Sequence, residues 1–126
     1  MYKILITEDN GDLANVYKLK FEQEGFEVRV VNDGSKCMDA IREFKPDIVL
    51  LDIMLPNMDG FKILAEIKTD PDLKHIPVIV WTNLSEEQDV QKIKDMGADD
   101  YLLKVLYMPQ EVVEKVKKKI EEKEEN

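Results

Sequence analysis

Cysteine, glycine and histidine are scarce in this chain, and each shortage excludes a class of protein. One cysteine, Cys37, occurs among 126 residues, so no internal disulfide can form, and its place in a helical segment predicts a buried structural thiol. The five glycines form no phosphate-binding loop after the first apolar run, which excludes a P-loop and argues against a flavin site. The single histidine, His75, has no second ligand nearby and is predicted to lie on the surface.

Long hydrophobic runs and excess positive charge are also missing. No apolar run approaches the roughly 20 residues that a membrane helix requires, and residues 3–6 are too few for the apolar part of a signal peptide. With 18 Lys and Arg against 27 Asp and Glu, the net charge of −9 disfavours direct contact with nucleic acid or anionic membrane. We therefore expect a cytoplasmic protein whose partners are other proteins or cations.

The residues that are present predict an α/β fold. Five short aliphatic runs are typical of parallel strands buried on both faces. They span residues 3–7, 27–31, 47–51, 77–81 and 100–103. Between them apolar residues recur at three- and four-residue spacing, as on one face of a helix. Strands that alternate with helices imply a parallel sheet with right-handed crossovers and helices on both faces.

Turn and capping residues mark the ends of the predicted helices. Gly25 and Gly97 are predicted to follow helix C-termini. Ser85, with Gln88 three residues later, predicts a capping box at the start of the fourth helix, and Pro109 suits the first turn of the fifth. We expect one domain over residues 1–122 and a charged C-terminal tail at residues 123–126.

Polar residues follow or close four of the predicted strands. Glu8 and Asp9 follow the first strand, Asp52 the third and Lys104 the fifth, and Thr82 ends the fourth. If these strands are neighbours, the side chains converge at the carboxyl edge of the sheet, where open α/β sheets bind ligands. Two carboxylates ~4 Å apart repel by about 4 kcal/mol at an effective dielectric of about 20, so the cluster needs protons or a cation. Its all-oxygen ligands suit Mg²⁺, and Lys104 adds a positive group.

Four motifs at these strand ends resemble those of the receiver domains of two-component response regulators. They are Glu8-Asp9-Asn10, residues 52–60 (DIMLPNMDG), Thr82 and residues 97–104 (GADDYLLK). The likeness runs over nearly the whole chain. It implies a flavodoxin-like, doubly wound (βα)5 fold with a five-stranded parallel sheet in the order 2-1-3-4-5. It also implies a phosphoacceptor switch, which catalyses only its own phosphorylation and slow dephosphorylation.

The resemblance implies a role for each residue of the acidic pocket. Asp52 is expected to accept a phosphoryl group from the phosphohistidine of a histidine kinase or a histidine phosphotransfer protein. The expected cofactor is Mg²⁺, bound by Asp52, by Asp9, by the backbone carbonyl of Met54, and by Glu8 mainly through water. Lys104 is expected to pair with Asp52 and then with the phosphoryl oxygens.

The resemblance also implies how the signal leaves the pocket. Thr82 is expected to move and hydrogen-bond the phosphoryl group, and Tyr101 to turn inward behind it. This changes the face formed by the fourth helix, the fifth strand and the fifth helix. An unknown downstream protein would bind that face, and the chain is expected to be a monomer or a weak homodimer through it. From position alone, Trp81 is predicted to pack against a helix and to report on the site by fluorescence.

One departure from the family pattern leaves an alternative function open. The family usually has Pro, often with a cis peptide bond, after the active-site lysine, and this chain has Val105, for which a cis bond costs ~2.5–4 kcal/mol. Either the bond is trans and the next loop differs, or the strain is retained. Residues 105–109 are also apolar, which suits a partner surface or local packing. The alternative is a phosphate-independent protein-interaction module. A phosphatase of the haloacid-dehalogenase type would need an Asp where this chain has Met54.

Overall fold

Five parallel strands form one sheet in the order β2-β1-β3-β4-β5 in the computed structural model, which describes residues 1–125. The strands are β1 (Lys3–Thr7), β2 (Glu27–Val31), β3 (Ile48–Leu51), β4 (Val78–Thr82) and β5 (Asp100–Leu103). All four strand pairs are parallel. The predicted flavodoxin-like fold class and strand order are therefore confirmed.

Five helices connect and follow these strands. They are α1 (Gly11–Gln23), α2 (Cys37–Phe44), α3 (Gly60–Thr69), α4 (Glu87–Asp95) and α5 (Pro109–Glu125), with 3-10 turns at Gly34–Lys36 and Lys104–Leu106. Pro109 opens α5, as predicted. Helix α5 continues through Glu125, so residues 123–125 of the expected tail are helical, and Asn126 lies outside the described residues.

The helix ends agree with the sequence at two positions and differ at a third. Gly25 and Gly97 have φ of +90° and +94°, the left-handed conformation expected just beyond a helix C-terminus. The predicted capping box at Ser85 is wrong. Helix α4 begins one residue later than that box requires, because Glu86 and not Ser85 is the N-cap, and it has no side-chain capping bond.

The two faces of the sheet carry separate hydrophobic cores. Helices α1 and α5 cover one face, and helices α2, α3 and α4 cover the other. Side chains alternate along each strand, so residues two apart share a face. Three strand residues that face α1 and α5 each lie two positions before a charged residue of the predicted pocket: Ile6, Leu50 and Leu102. This spacing brings Glu8, Asp52 and Lys104 to the α1/α5 side of the sheet edge.

Cys37 is fully buried in the core below α2, as predicted. Burial in these apolar surroundings raises the pKa of its thiol from the ordinary 9.0 to about 12. His75 is exposed, also as predicted. No helix among residues 1–125 is long and apolar enough to cross a membrane.

Candidate metal centre at the carboxyl edge of the sheet

Three carboxylates meet where β1 and β3 end. One oxygen each of Glu8, Asp9 and Asp52 lies within 4.8 Å of the others. Glu8 and Asp52 are only 3% and 4% exposed, whereas Asp9 is open to solvent. The register explains the approach, because Ile6 pairs with Leu50 and the acids follow two residues beyond each. The convergence predicted from the strand ends is therefore present.

Lys104 supplies the positive charge of this cluster. Its Nζ donates to Asp52 Oδ2 at 2.6 Å and also to Glu8 Oε1. The side chain of Lys104 is 11% exposed, so both ion pairs lie largely out of water. One ammonium against three carboxylates leaves an excess of two negative charges. A divalent cation with a preference for oxygen ligands matches both that excess and the donor set.

The backbone fixes Asp52 from two further directions. The Met54 amide donates to Asp52 Oδ1 at 2.9 Å, and the Asp52 amide donates to Thr7 Oγ1 at 2.7 Å. Thr7 is fully buried. Thr7 was not among the residues predicted for the site. Its position at the end of β1, which pairs with β3, could have predicted that it lies next to Asp52.

Thr82 and Tyr101 lie on the other side of the sheet edge, toward α4. The Thr82 hydroxyl accepts a hydrogen bond from the Leu84 amide at 3.5 Å, and the Tyr101 hydroxyl donates to the Leu84 carbonyl. Tyr101 is half-buried against the core under α2, α3 and α4. Desolvation, and secondarily the nearby Tyr107, raises the pKa of Tyr101 above its ordinary 10.0, so its phenol keeps the donated hydrogen further into the alkaline range.

Trp81 contacts the site directly through Lys104, which its predicted role as a nearby fluorescence reporter did not include. Lys104 Nζ stands 4.4 Å from the centre of the Trp81 ring. The ring packs edge-on against Tyr17 of α1, with centroids 4.6 Å apart, so the prediction that it packs against a helix is confirmed. The indole is 1% exposed.

The loop that carries Met54 is fastened to the connection between β2 and α2. Asn57 adopts a left-handed φ of +69°, and its Nδ2 donates to Asp33 Oδ2 at 2.9 Å. The Gly34 amide donates to the Pro56 carbonyl at 3.0 Å. Hydrogen bonds from Ser35, and then from Asn57, lower the pKa of Asp33. These contacts hold the backbone around Met54 in place next to Asp52.

The segment after Lys104 decides whether the Lys104–Val105 peptide bond is trans or a strained cis bond. No peptide bond among residues 1–125 is cis, so Lys104–Val105 is trans and the chain turns through the 3-10 segment Lys104–Leu106. Three apolar side chains after Lys104 are largely exposed, at 75% for Val105, 69% for Leu106 and 68% for Met108, whereas Tyr107 between them packs against the core. Local packing therefore does not account for their apolar character.

The strand order together with an acidic triad and a lysine at the carboxyl edge defines a doubly wound α/β domain with its site at the topological switch point. The sequence profile of the response regulator receiver domain matches residues 4–117, and the chain belongs to that family. Receiver domains are typically non-enzymatic switches that partner a histidine kinase. The acidic triad is typical of a receiver Mg²⁺ site.

Known response regulators are similar to this chain in sequence and in structure. DNA-binding response regulator MtrA from Mycolicibacterium smegmatis is 34% identical over 123 residues, which are 98% of this chain and 52% of that protein. The chain spans about half the length of the curated relatives that it first matches. A CheY-like receiver domain protein from Methanospirillum hungatei JF-1 superposes with a TM-score of 0.91 at 26% identity, covering 99% of this chain and 98% of that one. The Mn(2+)-bound form of response regulator Rcp1 gives 0.78 at 31% identity, covering 87% and 86%.

Proposed function

We propose that this receiver domain is a phosphoacceptor switch, in which Asp52 receives a phosphoryl group from the phosphohistidine of a histidine kinase or a histidine phosphotransfer protein. The observation that carries the proposal is the environment of Asp52. Its buried carboxylate is 2.6 Å from Lys104 Nζ and lies in one cluster with Glu8 and Asp9. A carboxylate so placed is held in position beside an ammonium that can offset the charge of a phosphoryl group, and within an acidic cluster that suits a divalent cation.

The transfer forms one bond and breaks another. An oxygen of Asp52 attacks the phosphorus, and the P–N bond to the donor histidine breaks. The imidazole leaves with the bonding pair and takes up a proton, and Asp52 becomes an acyl phosphate. The Met54 amide and Lys104 fix the orientation of the carboxylate before the donor arrives, which removes an entropic cost from the barrier. Lys104 can then offset negative charge on the phosphoryl oxygens.

Mg²⁺ would be held by Asp52, by Asp9, by Glu8 mainly through water, and by the Met54 carbonyl. When bound, the ion neutralises charge on the oxygens of the transferred group. The pocket suits a divalent cation, because Lys104 balances only one of the three carboxylates and two negative charges lack a counterion. Asp9 is the exposed member of the triad and so provides the route by which an ion exchanges with solvent.

The switch would act through the loop between β4 and α4. A phosphoryl group adds roughly −1.5 to −2 charges and strong acceptors beside Thr82. The Thr82 hydroxyl now makes only a long 3.5 Å bond with Leu84, so it can rotate toward the new acceptors. Tyr101 is bonded to the same Leu84. Displacement of this loop residue would therefore reach the surface formed by α4, β5 and α5, where a downstream protein would bind.

Acetyl phosphate with Mg²⁺, followed by intact mass measurement, tests the phosphoacceptor. The wild type should gain one phosphoryl group, and the gain should disappear with excess EDTA or in Asp52→Asn. Asp72→Asn is a matched control, because Asp72 is an exposed aspartate in the loop after α3, at the opposite edge of the sheet. It should be phosphorylated like the wild type. An Asp52→Asn protein that still gains the group would reject Asp52 as the acceptor.

A phosphate-independent interaction module is the second candidate, and one observation favours it. Val105, Leu106 and Met108 expose apolar side chains directly after the active-site lysine. A surface that is already apolar can bind a partner without phosphorylation. A pull-down with and without the phosphoryl mimic beryllofluoride separates the two functions. Equal capture in both states supports the interaction module, and capture that depends on the mimic supports the switch.

A further inference from the structure

The ammonium of Lys104 has three partners in the pocket, and one of them is an aromatic ring. It contacts Asp52 and Glu8, and its Nζ is 4.4 Å from the centroid of the Trp81 ring. A cation within about 6 Å of an indole face is attracted by the negative potential of the π system, and the attraction grows when the pair is shielded from water. Here Trp81 is 1% exposed and the Lys104 side chain 11%.

The orientation of the Trp81 ring comes from packing rather than from hydrogen bonding. Among residues 1–125 its buried Nε1–H has no hydrogen-bond partner, which is unfavourable for a buried donor. Tyr17 meets the ring edge-on, at 60° between the ring planes. A phenylalanine or leucine would fill this core position without burying an unpaired donor. The indole therefore serves something other than simple space filling, and the cation on it is the available partner.

The strand register produces this contact. Trp81 pairs with Leu102 across the β4–β5 ladder, and Lys104 lies two residues beyond Leu102 on the same side of the sheet. The next residue of β4, Thr82, points to the opposite side. The indole of Trp81 thus lies on the same side of the sheet as Asp52 and Lys104. The hydroxyl of Thr82 lies on the opposite side.

We propose that Trp81 is a positioning residue that holds the Lys104 ammonium against Asp52 before the phosphoryl group arrives. The inference rests on the proposed function, since it concerns the same lysine. A lysine side chain is flexible and loses rotational freedom when it is fixed. The ring restricts that freedom in the resting protein, so less ordering remains for the transfer step. The ring also continues to attract the Lys104 ammonium when a metal ion competes with it for the carboxylates.

Phosphorylation rates of three variants test the proposal. Trp81→Phe keeps an aromatic face, and Trp81→Leu removes it. Ile79→Ala is a control, because Ile79 is fully buried in the same core two residues earlier on β4. With acetyl phosphate and saturating Mg²⁺, under conditions where circular dichroism shows each protein folded, Trp81→Phe should stay within about twofold of wild type. Trp81→Leu should be about three- to tenfold slower, as for the loss of a partly desolvated cation–π contact.

The control separates positioning from general loss of packing. Ile79→Ala should keep the wild-type rate even if its unfolding midpoint falls as far as that of Trp81→Leu. An equal drop in rate for Ile79→Ala and Trp81→Leu would overturn the proposal. So would a Trp81→Leu protein as fast as the wild type.

A spectroscopic readout tests the contact without phosphorylation. In the metal-free wild type the indole ring current should shift the Lys104 ε-methylene protons upfield of their own position in Trp81→Leu, and Trp81→Phe should show a smaller upfield shift. Lys92, whose Nζ is 4.1 Å from the Phe61 ring centroid, is an internal reference that should not change among the three proteins. If Trp81→Leu does not fold, wild type and Trp81→Phe suffice for the comparison. Absence of the shift in the wild type overturns the proposal. A wild type that shows the shift but takes no phosphoryl group overturns the proposed function and leaves the positioning of Lys104 standing.

Discussion

Tyr101 donates its phenol hydrogen to the backbone carbonyl of Leu84, and the Leu84 amide in turn donates to the hydroxyl of Thr82. The loop residue Leu84 therefore joins the two residues that are predicted, from the family resemblance, to form the switch. The Tyr101 ring is half-buried against the core below α4.

Tyr101→Phe should loosen this loop. The substitution removes the donor to the Leu84 carbonyl, a bond worth about 0.5–1.5 kcal/mol where water can partly replace it. We expect faster hydrogen exchange at the Leu84 amide and its neighbours, with the exchange of β1 amides unchanged. Exchange monitored by NMR provides the measurement. Equal exchange rates at Leu84 in both proteins would mean that the phenol does not restrain the loop.

Asp9→Asn should abolish the response of stability to Mg²⁺ with little effect on stability in EDTA. Asp9 is exposed, so its replacement leaves no buried charge unpaired and relieves repulsion within the triad. Wild-type protein should gain about 2.7 kcal/mol of unfolding free energy when Mg²⁺ is 100 times its dissociation constant. Urea unfolding with and without Mg²⁺ measures the gain, with Asp72→Asn as the control that should keep it. A full response in Asp9→Asn would remove Asp9 from the ligand set.

Gly60→Ala should destabilise the domain through a backbone clash. A Cβ at Gly60 would stand 2.4 Å from both the Cα and the carbonyl oxygen of Ile53, atoms that cannot move without displacing the loop after Asp52. We expect a loss of about 3 kcal/mol, at the upper end for overpacking. Gly11→Ala is the matched control, because a Cβ there meets nothing within 4 Å and alanine favours helix. Equal urea midpoints for the two variants would contradict the clash.

Alkaline pH should destabilise the protein through its buried thiol. The unfolded Cys37 thiol loses its proton above its ordinary pKa of 9.0, while burial keeps the folded thiol protonated up to about 12. Above pH 9 the unfolded state therefore binds fewer protons, and stability falls by about 1.4 kcal/mol per pH unit for one such group. Burial, and secondarily Glu8, also raises the pKa of Tyr17, which steepens the fall above pH 10.

Cys37→Ala isolates the contribution of the thiol. Its deficit in unfolding free energy relative to wild type should be largest at neutral pH and should narrow at about pH 10.5. Urea unfolding at the two pH values measures it. A constant deficit would show that the thiol does not titrate differently in the folded and unfolded states.

The strands were the most predictable part of the fold, because each is an aliphatic run. The bounds of β1, β2 and β5 match the prediction, although β2 and β5 are edge strands that are only partly buried. Strand β4 begins one residue late, at Val78, because Pro77 has no amide hydrogen for the ladder. Helix starts were less predictable. The apolar spacing of α1 shows only from Leu13, whereas the helix begins at Gly11, behind the Asn10 cap.

The acidic pocket was predictable because it needs only strand ends and strand order. Glu8, Asp52 and Lys104 are each two residues beyond a core residue, and that spacing determines where they meet. The place of Trp81 beneath Lys104 was not predictable in the same way. It depends on the register of β4 against β5 and on how Tyr17 of α1 fills the space beside the ring.

The sheet is a single layer of backbone, and it divides the site in two. Asp52 and Lys104 lie in the first compartment, on the side of the sheet that α1 and α5 cover. Thr82 and Tyr101 lie in the second compartment, on the side that α4 covers. In the proposed switch, phosphorylation would take place in the first compartment and the response in the second, and the two would meet only at the sheet edge. Substitutions on one side of the sheet would then change the phosphorylation rate, and substitutions on the other side would change the response, independently of each other.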